Sequence, residues 1–420
     1  MKKLMSLFFA AAVLLQLHAG ENLLRNAGFE NARSIPWQSW PGPSKISTEN
    51  PASGKQCMAV PALAGRSKYL LQKNIPVKPG YVCSCSLKAR SDDCKKALKV
   101  SLIFRDASGA VANPATVITR TATKEWVKSR GATIAPATAA TVDVSIVVPS
   151  GSGTYHIDDV SLEQGSRILG AHGASRVEPT KDGFRIVTRL YTLDFIEKRN
   201  FGLASASFNG KKLIRHFFLY VPFEDKVKTS FFLGTSIVTG LKVTERDGSF
   251  IFTVEENFPH LKVERSVECW DNEPYVKFTC KLNALSDFIS PRVCMDFGFT
   301  GSLIGQSRGS RVKYSKWTKP GRWFNLDRPD DPRVISFLDN DGQNGIALIG
   351  LDKTGWAELP GKLLCNSLGK DGDNGFGIGL VKWVKRDVRK GDKVSYEVLA
   401  AAVGSHAEAV RLADQLSPGN

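Results

Sequence analysis

Over most of the chain, apolar and polar residues alternate with a period of two, and Pro, Gly, Ser and Asn interrupt at intervals of roughly ten residues; this rhythm predicts strands joined by turns. In the first part the alternation marks Tyr69–Ile75, Gly80–Ala89, Ala97–Arg105, Trp126–Thr133, Thr141–Val148 and Tyr155–Glu163 as strands, with turns at Pro76–Gly80 and Gly151–Gly153. Beyond residue 175 it runs on from Phe184–Phe195 to Lys393–Val403, with hairpin signals at Asn209-Gly210 and Asp247-Gly248. Only the end has a helical period: Ser405 and Glu408 have capping-box spacing, and Ala409, Val410, Leu412, Ala413 and Leu416 follow on one face. The fold class is all-β, a jelly-roll-sized β-sandwich followed by a larger two-sheet sandwich with a short C-terminal helix.

Length supports the division, because 420 residues exceed what one core serves. The expected organisation is a signal peptide at 1–19, a first domain at 20–165, a linker at 166–175 and a second domain at 176–420. The leader reading rests on Lys2 and Lys3 before an apolar run from Leu4 to Leu17 that closes on Ala19. The run is too short for a membrane span, so the expected product is secreted or periplasmic. Export permits disulfides. Cys57, Cys83, Cys85 and Cys94 fall in the first domain, and Cys269, Cys280, Cys294 and Cys365 in the second, so each could hold two bonds. Cys83 and Cys85 share a strand face and would pair with Cys57 and Cys94 more readily than with each other. No histidine stands at zinc-ligand spacing from them.

The formal net charge is +16, from 57 Lys and Arg against 41 Asp and Glu. The basic residues are spread evenly and alternate with apolar ones, which argues against a nucleic-acid stripe. A diffuse positive field serves solubility, and it would also steer an acidic or sulfated polysaccharide. There is no Gly-rich phosphate loop and no G-x-S-x-G elbow, so no organic cofactor is expected.

Two distant segments bracket the first domain: NLLRNAGFE at 22–30 and YHIDDVSLE at 155–163. With Ser53-Gly54-Lys55 and IPVKPGYVCSCSLKAR at 75–90, they resemble the family 4/9 type of carbohydrate-binding module. The resemblance implies a jelly-roll sandwich of the galactose-binding-like kind, found on secreted proteins that act on polysaccharides. More weakly, LKVERSVECWDNEPYVKF at 261–278, GQNGIALIGLDKTGWAEL at 342–359 and YEVLAAAVGSHAEAVRLADQL at 396–416 resemble the supersandwich of galactose mutarotases, polysaccharide lyases and the rear domains of family 38 mannosidases.

The module resemblance implies that Glu30, Asp158 or Asp159 and a backbone carbonyl near Ser53 hold a structural Ca2+; the plainer reading is that these carboxylates cap turns. Sugar binding needs exposed rings. Trp37 and Trp40 flank a polar, Pro-rich loop (PWQSWPGP) and are expected as platforms, with Tyr69 and Trp126 behind them. Trp126 lies in a strand pattern and could equally staple a loop. In the second domain, Glu255, Glu256 and His260 fall in a presumed loop (EENFPH), His216 in a strand, and Tyr314, Trp317, Arg322, Trp323 and Asp327 in a long loop at 313–331. Glu256, His260, His216 and Arg322 are the catalytic candidates, and Trp317, Arg322 and Trp323 the glycan contacts. The expected partner is a polysaccharide or glycan. The leading reading is an exported carbohydrate-binding protein; the alternatives are a glycoside hydrolase or polysaccharide lyase, and a structural envelope protein.

Overall fold

The computed structural model describes residues 21–31, 36–92, 96–220, 236–258, 260–299, 304–307, 310–312, 323–326, 333–338, 345–351, 363–367 and 376–416. The leader expectation at 1–19, Cys94 and most of the 313–331 loop, including Trp317 and Arg322, lie outside these residues. The chain divides into two compact units, Met1–Arg167 and Ile168–Asn420.

The first unit is built from β1 (Gln38–Trp40), β2 (Lys45–Ser47), β3 (Cys57–Pro61), β4 (Lys68–Pro76), β5 (Tyr81–Ser91), β6 (Ala97–Arg105), β7 (Val111–Thr121), β8 (Val127–Ile134), β9 (Thr141–Val148) and β10 (Thr154–Arg167). These strands form two five-stranded antiparallel sheets, ordered β1-β4-β9-β6-β7 and β2-β3-β10-β5-β8. Each strand turns one face inward, so Leu70, Leu98, Val100, Leu102, Phe104, Val142, Val144 and Ile146 from one sheet meet Met58, Val60, Leu87, Ile157 and Leu162 from the other in one buried cluster. β7 carries Pro114, which a strand tolerates at a sheet edge, where its missing N–H faces away from a partner.

The two bracketing segments meet. Asn22 forms a bridge with Glu163, Leu23 N donates to Leu162 O at 2.8 Å, and Asn22 Oδ1 accepts from Leu162 N at 2.9 Å. At that point β10 carries a bulge between Asp158 and Ser161, with Asp159 in the left-handed region at φ 47°. Segment 166–175, anticipated as a linker, is largely strand: Arg167 ends β10 and Gly170–His172 pairs with Ser175–Thr180.

The second unit contains a ten-stranded and a nine-stranded antiparallel sheet among the described residues. The ten-stranded sheet includes Gly183–Val187, Tyr191–Ile196, Gly202–Phe208, Lys211–Tyr220 and Phe288–Phe299; the nine-stranded one includes Ile237–Arg246, Ser249–Asn257, Leu261–Trp270, Tyr275–Ala284 and Lys393–Val403. Rings interlock between them: Phe184 against Phe252 at 4.9 Å, Phe217 against Phe278 at 4.7 Å, and Phe299 against Phe337 at 4.8 Å. The segment Phe184–Phe195, expected as one strand, is a hairpin, because Thr188 Oγ1 accepts from Leu190 N and Tyr191 N and turns the chain. The Asn209-Gly210 turn forms as expected, at φ 48° and 76°. The helix α1 (His406–Leu416) starts where anticipated: Glu408 N donates to Ser405 Oγ, and Glu408 Oε2 accepts from Gly404 N.

No disulfide links the described residues; Cys57, Cys83, Cys85, Cys269 and Cys280 are buried thiols. The expected bonding of Cys57 to Cys83 or Cys85 is therefore not made. Cys83 and Cys85 lie on β5 and pack into the sandwich core, where burial pushes both thiols up to about 12.

Candidate functional site

The acidic residues of the two bracketing segments gather at the turn spanning residues 51–56. Asp158 is fully buried; its Oδ2 accepts from Ala52 N at 2.9 Å and Ser53 N at 3.2 Å, and its Oδ1 from Asp159 N at 2.7 Å. Burial pushes the Asp158 carboxyl up from its ordinary value, against the downward pull of those amides. Glu30 Oε1 accepts from Lys55 N at 2.9 Å and Gln56 N at 3.2 Å. Gly54, at φ 60°, has no room for a Cβ against the Glu30 carboxylate. Asp159 turns the other way, to Lys88 Nζ at 2.8 Å and Ser53 Oγ at 2.5 Å. No group of three or more His, Cys, Asp or Glu side chains suited to a metal occurs among the described residues. A cation here would rest on Glu30 and Asp158 with main-chain carbonyls, while Asp159 serves the lysine. Both side chains lie within 4.0 Å of the position a Gly28 Cβ would take. Glu30 and Asp158 supply oxygen donors of the kind a hard cation takes, and each already accepts from main-chain amides.

The tryptophan loop splits its two rings. Trp37 is a core residue, only 4% exposed; its indole donates to Asn26 O at 3.2 Å and its ring packs on Phe29 at 5.7 Å. It is therefore corrected from a sugar platform to a packing residue, because Phe29 and the Asn26 carbonyl satisfy its apolar body and its one donor together. Trp40 is the opposite case, 63% exposed at the end of β1, followed by a cis bond to Pro41. It pairs in register with Tyr69 of β4, with ring centroids 5.9 Å apart and planes at 37°. The loop after it is tied from below, where the buried Lys68 donates to Pro43 O at 2.6 Å. Trp126 is a staple: its indole donates to Asn50 O at 3.0 Å, and the Arg90 guanidinium lies 5.6 Å over its ring.

Strand register extends the Trp40–Tyr69 pair into a row across one sheet. Trp40 is opposite Tyr69, Tyr69 opposite Val147, Val147 opposite Lys99 and Lys99 opposite Thr119. Directly opposed residues share a face, and here it is the face turned away from the core. The next row holds Gln38, Leu71, Ser145, Ser101 and Thr116, with Ser101 and Thr116 hydroxyls 3.0 Å apart. Rings at one end and half-buried apolar side chains edged by hydroxyls make a surface that can take pyranose faces and their hydroxyl rims.

Among the described residues, the second-unit candidates each have a separate partner. Glu256 is fully buried; Arg265 Nε donates to its Oε2 at 2.5 Å and Ser236 Oγ to its Oε1 at 2.8 Å. Arg265 Nη2 also donates to Asn200 O at 2.7 Å, and Asn200 Nδ2 to Ser236 Oγ at 2.6 Å. This is a buried ion pair holding the left-handed corner at Asn200 and Phe201. Glu255 faces outward to Lys262. His260 Nδ1 lies 2.7 Å from Ser286 Oγ, and its ring stacks on Phe288. His216 lies on the opposite sheet over Gly298, where a Cβ would collide with its ring; burial holds it down at about 4. Trp323 begins a short strand opposite Asn366. A cleft of about 340 Å3 beside α1, lined by Phe208, Lys211, Leu213, Pro274 and Glu408, has one carboxylate, and that one caps the helix.

One arrangement escaped the sequence reading. Cys57 Sγ lies 3.8 Å from His156 Nδ1, and His156 Nε2 lies 3.4 Å from Asp92 Oδ2. The order is that of a nucleophile, base and orienting acid. Cys57 is fully buried, however, and burial pushes its thiol up to about 11, so it carries no thiolate to attack with. His156 is opposite Ala59 on β3, two residues from Cys57, which is the signal that could have joined them.

Among known proteins, residues 21–153 match the family model described as Carbohydrate binding domain. No curated protein sequence matches the chain. Similar solved structures include the CBM22-1 xylan-binding domain from Paenibacillus barcinonensis Xyn10C, at 18% identity over 36% of this chain and 98% of that one, with a TM-score of 0.30. TmCBM61 in complex with beta-1,4-galactotriose is 22% identical over 34% of this chain and 99% of that one, with a TM-score of 0.28. The enzymatically active domain of Bacteriophage CBA120 tailspike protein 4 is 16% identical over 34% of this chain, which spans only 21% of that one, with a TM-score of 0.30. The resemblance drawn from the bracketing segments is thus shown: over residues 21–153 the chain is similar to a carbohydrate binding domain.

Proposed function

We propose that the chain is an exported protein that engages a polysaccharide through the outer face of the sheet β1-β4-β9-β6-β7, with Trp40 and Tyr69 as its aromatic platform. The observation that carries this is the exposed Trp40 paired with Tyr69 at 5.9 Å inside the segment that matches a carbohydrate binding domain. A large ring exposed at 63% on a sandwich needs a reason, and a sugar face is one. Export is supported by the charge and apolar order of residues 2–19. No helix among the described residues is long and apolar enough to cross a membrane.

A calcium ion held by Glu30, Asp158 and a carbonyl near Ser53 would clasp the opening segment to β10 and to the turn spanning residues 51–56. Its role is stability: the ion would draw Glu30 and Asp158 together, each of which already accepts from main-chain amides. For the second unit, the buried Glu256–Arg265 pair supports a scaffold that carries or presents the module over a glycosidase whose acid would be Glu256.

The deciding experiment is retention of the full chain on a polysaccharide panel, wild type against Trp40→Ala and Tyr69→Ala. Loss of retention in both, with unchanged melting, supports the reading. Undiminished retention removes these rings from the site.

A further inference from the structure

The outer face that bears Trp40 and Tyr69 is unequal in charge. Lys99 is exposed in the same row as the rings, and Lys73 is exposed at the far end of β4. The carboxylate that this face turns outward, Asp143, is buried and already neutralised by Arg105 Nε at 2.8 Å, while also accepting from Asn74 N at 2.9 Å. Arg105 is held by that pair and by Gly109 O. Among the described residues of this face, the two lysines are therefore the uncompensated charges, and both are positive.

Resting on the reading that this face binds a glycan, we propose that the glycan is acidic: a polysaccharide bearing carboxylate or sulfate groups, one of which is met by Lys99 while a neighbouring ring lies on Trp40 and Tyr69. Tyr69 and Lys99 are two strands apart, about 10 Å between main chains, a span of the order of a disaccharide. Between them lies Val147, half-buried, with Ser101 and Thr116 in the neighbouring row to meet hydroxyls. The stack supplies contact with either kind of sugar, and the ammonium supplies the preference. A lysine suits this task, because a flexible, strongly hydrated point charge can follow an acid group that is not fixed in direction.

The experiment measures retention of the full chain on polygalacturonate, on dextran sulfate and on an uncharged xylan, for wild type, Lys99→Glu, Lys242→Glu and Trp40→Ala. Lys242 is exposed on the second unit, and its reversal changes net charge by the same amount. The expected result is a loss of about fivefold or more for Lys99→Glu on at least one acidic polymer, none on xylan, and none for Lys242→Glu. The carboxylate and sulfate columns decide which acid group is read. Equal losses for the two lysine variants would assign the attraction to the overall positive field and overturn the proposal, as would undiminished binding by Lys99→Glu. Binding of xylan alone, lost in Trp40→Ala, would overturn the acidic specificity and keep the glycan face. Unchanged retention of Trp40→Ala on every column would overturn both.

Discussion

Lys68 Nζ, on a side chain buried in the sandwich, donates to the Pro43 carbonyl at 2.6 Å, tying down the chain three residues past Trp40. Burial holds this lysine below its ordinary value, and an amide oxygen rather than a carboxylate is its partner. Lys68→Met keeps the stem and removes the tie. Retention on a neutral glycan should fall about threefold, an effect of under about 1 kcal/mol, with little change in melting because a buried charge is lost too.

Trp37 and Trp40, three residues apart, should respond oppositely to truncation. Trp37→Ala opens a cavity beside Phe29 and should cost the first unit about 3–5 kcal/mol, read by denaturant melts. Trp40→Ala should leave the melt in place and weaken glycan retention roughly tenfold, the stacking share of such a contact.

The calcium clasp predicts that a chelator lowers the melting temperature of the first unit by several degrees, and that calcium restores it. In Glu30→Ala the chelator should have no further effect. Equal melts of the wild type with and without chelator would leave Glu30 and Asp158 as turn caps only.

Glu256 and Arg265 should behave as a structural pair. Removing one partner, as in Glu256→Ala, strands a buried charge and should cost about 3–5 kcal/mol. Replacing both by apolar residues of similar size should recover most of it. A catalytic acid would show the reverse, lost activity at unchanged stability.

His216 gives the second unit an acid limb. Its folded value of about 4 lies below the ordinary 6.5, so between those values the unfolded chain binds the extra proton. Stability is full above about 6.5 and falls as pH drops toward 4, by up to about 1.4 kcal/mol per unit. His216→Gln should flatten that limb in melts recorded across the window. Gly298→Ala, which forces a Cβ into the ring, should lower stability at every pH.

The strand pattern was legible where side chains simply alternate: Ala97–Arg105 and Thr141–Val148 appear as read. It failed where the cue was weak. β7 was hidden by Pro114, and β1 and β2 by their three-residue length. The period of two did extend past Val254, since Phe252, Val254 and Glu256 all point inward. Followed further, it would have buried Glu256 and turned Glu255 out, in place of a presumed loop. Nothing local separates Trp37 from Trp40. Their fates depend on Phe29 and Asn26, eight and eleven residues earlier, and on the cross-strand register with Tyr69. The platform was therefore half visible, and the lysine in its row became visible only once β4, β9 and β6 were aligned.

The bridge between Asn22 and Glu163 places entry to and exit from the first unit side by side. Tension between the flanking chain segments is thus borne by the opening segment and β10, the central strand of the other sheet, and does not run through the face that carries Trp40. The same adjacency makes the sandwich topologically a ring. A circular permutant joined from 167 back to 22 by a short linker and opened at the Asp106–Ala110 turn keeps the strand pairings of the unit, including those of Gln164 and Arg167 with β5.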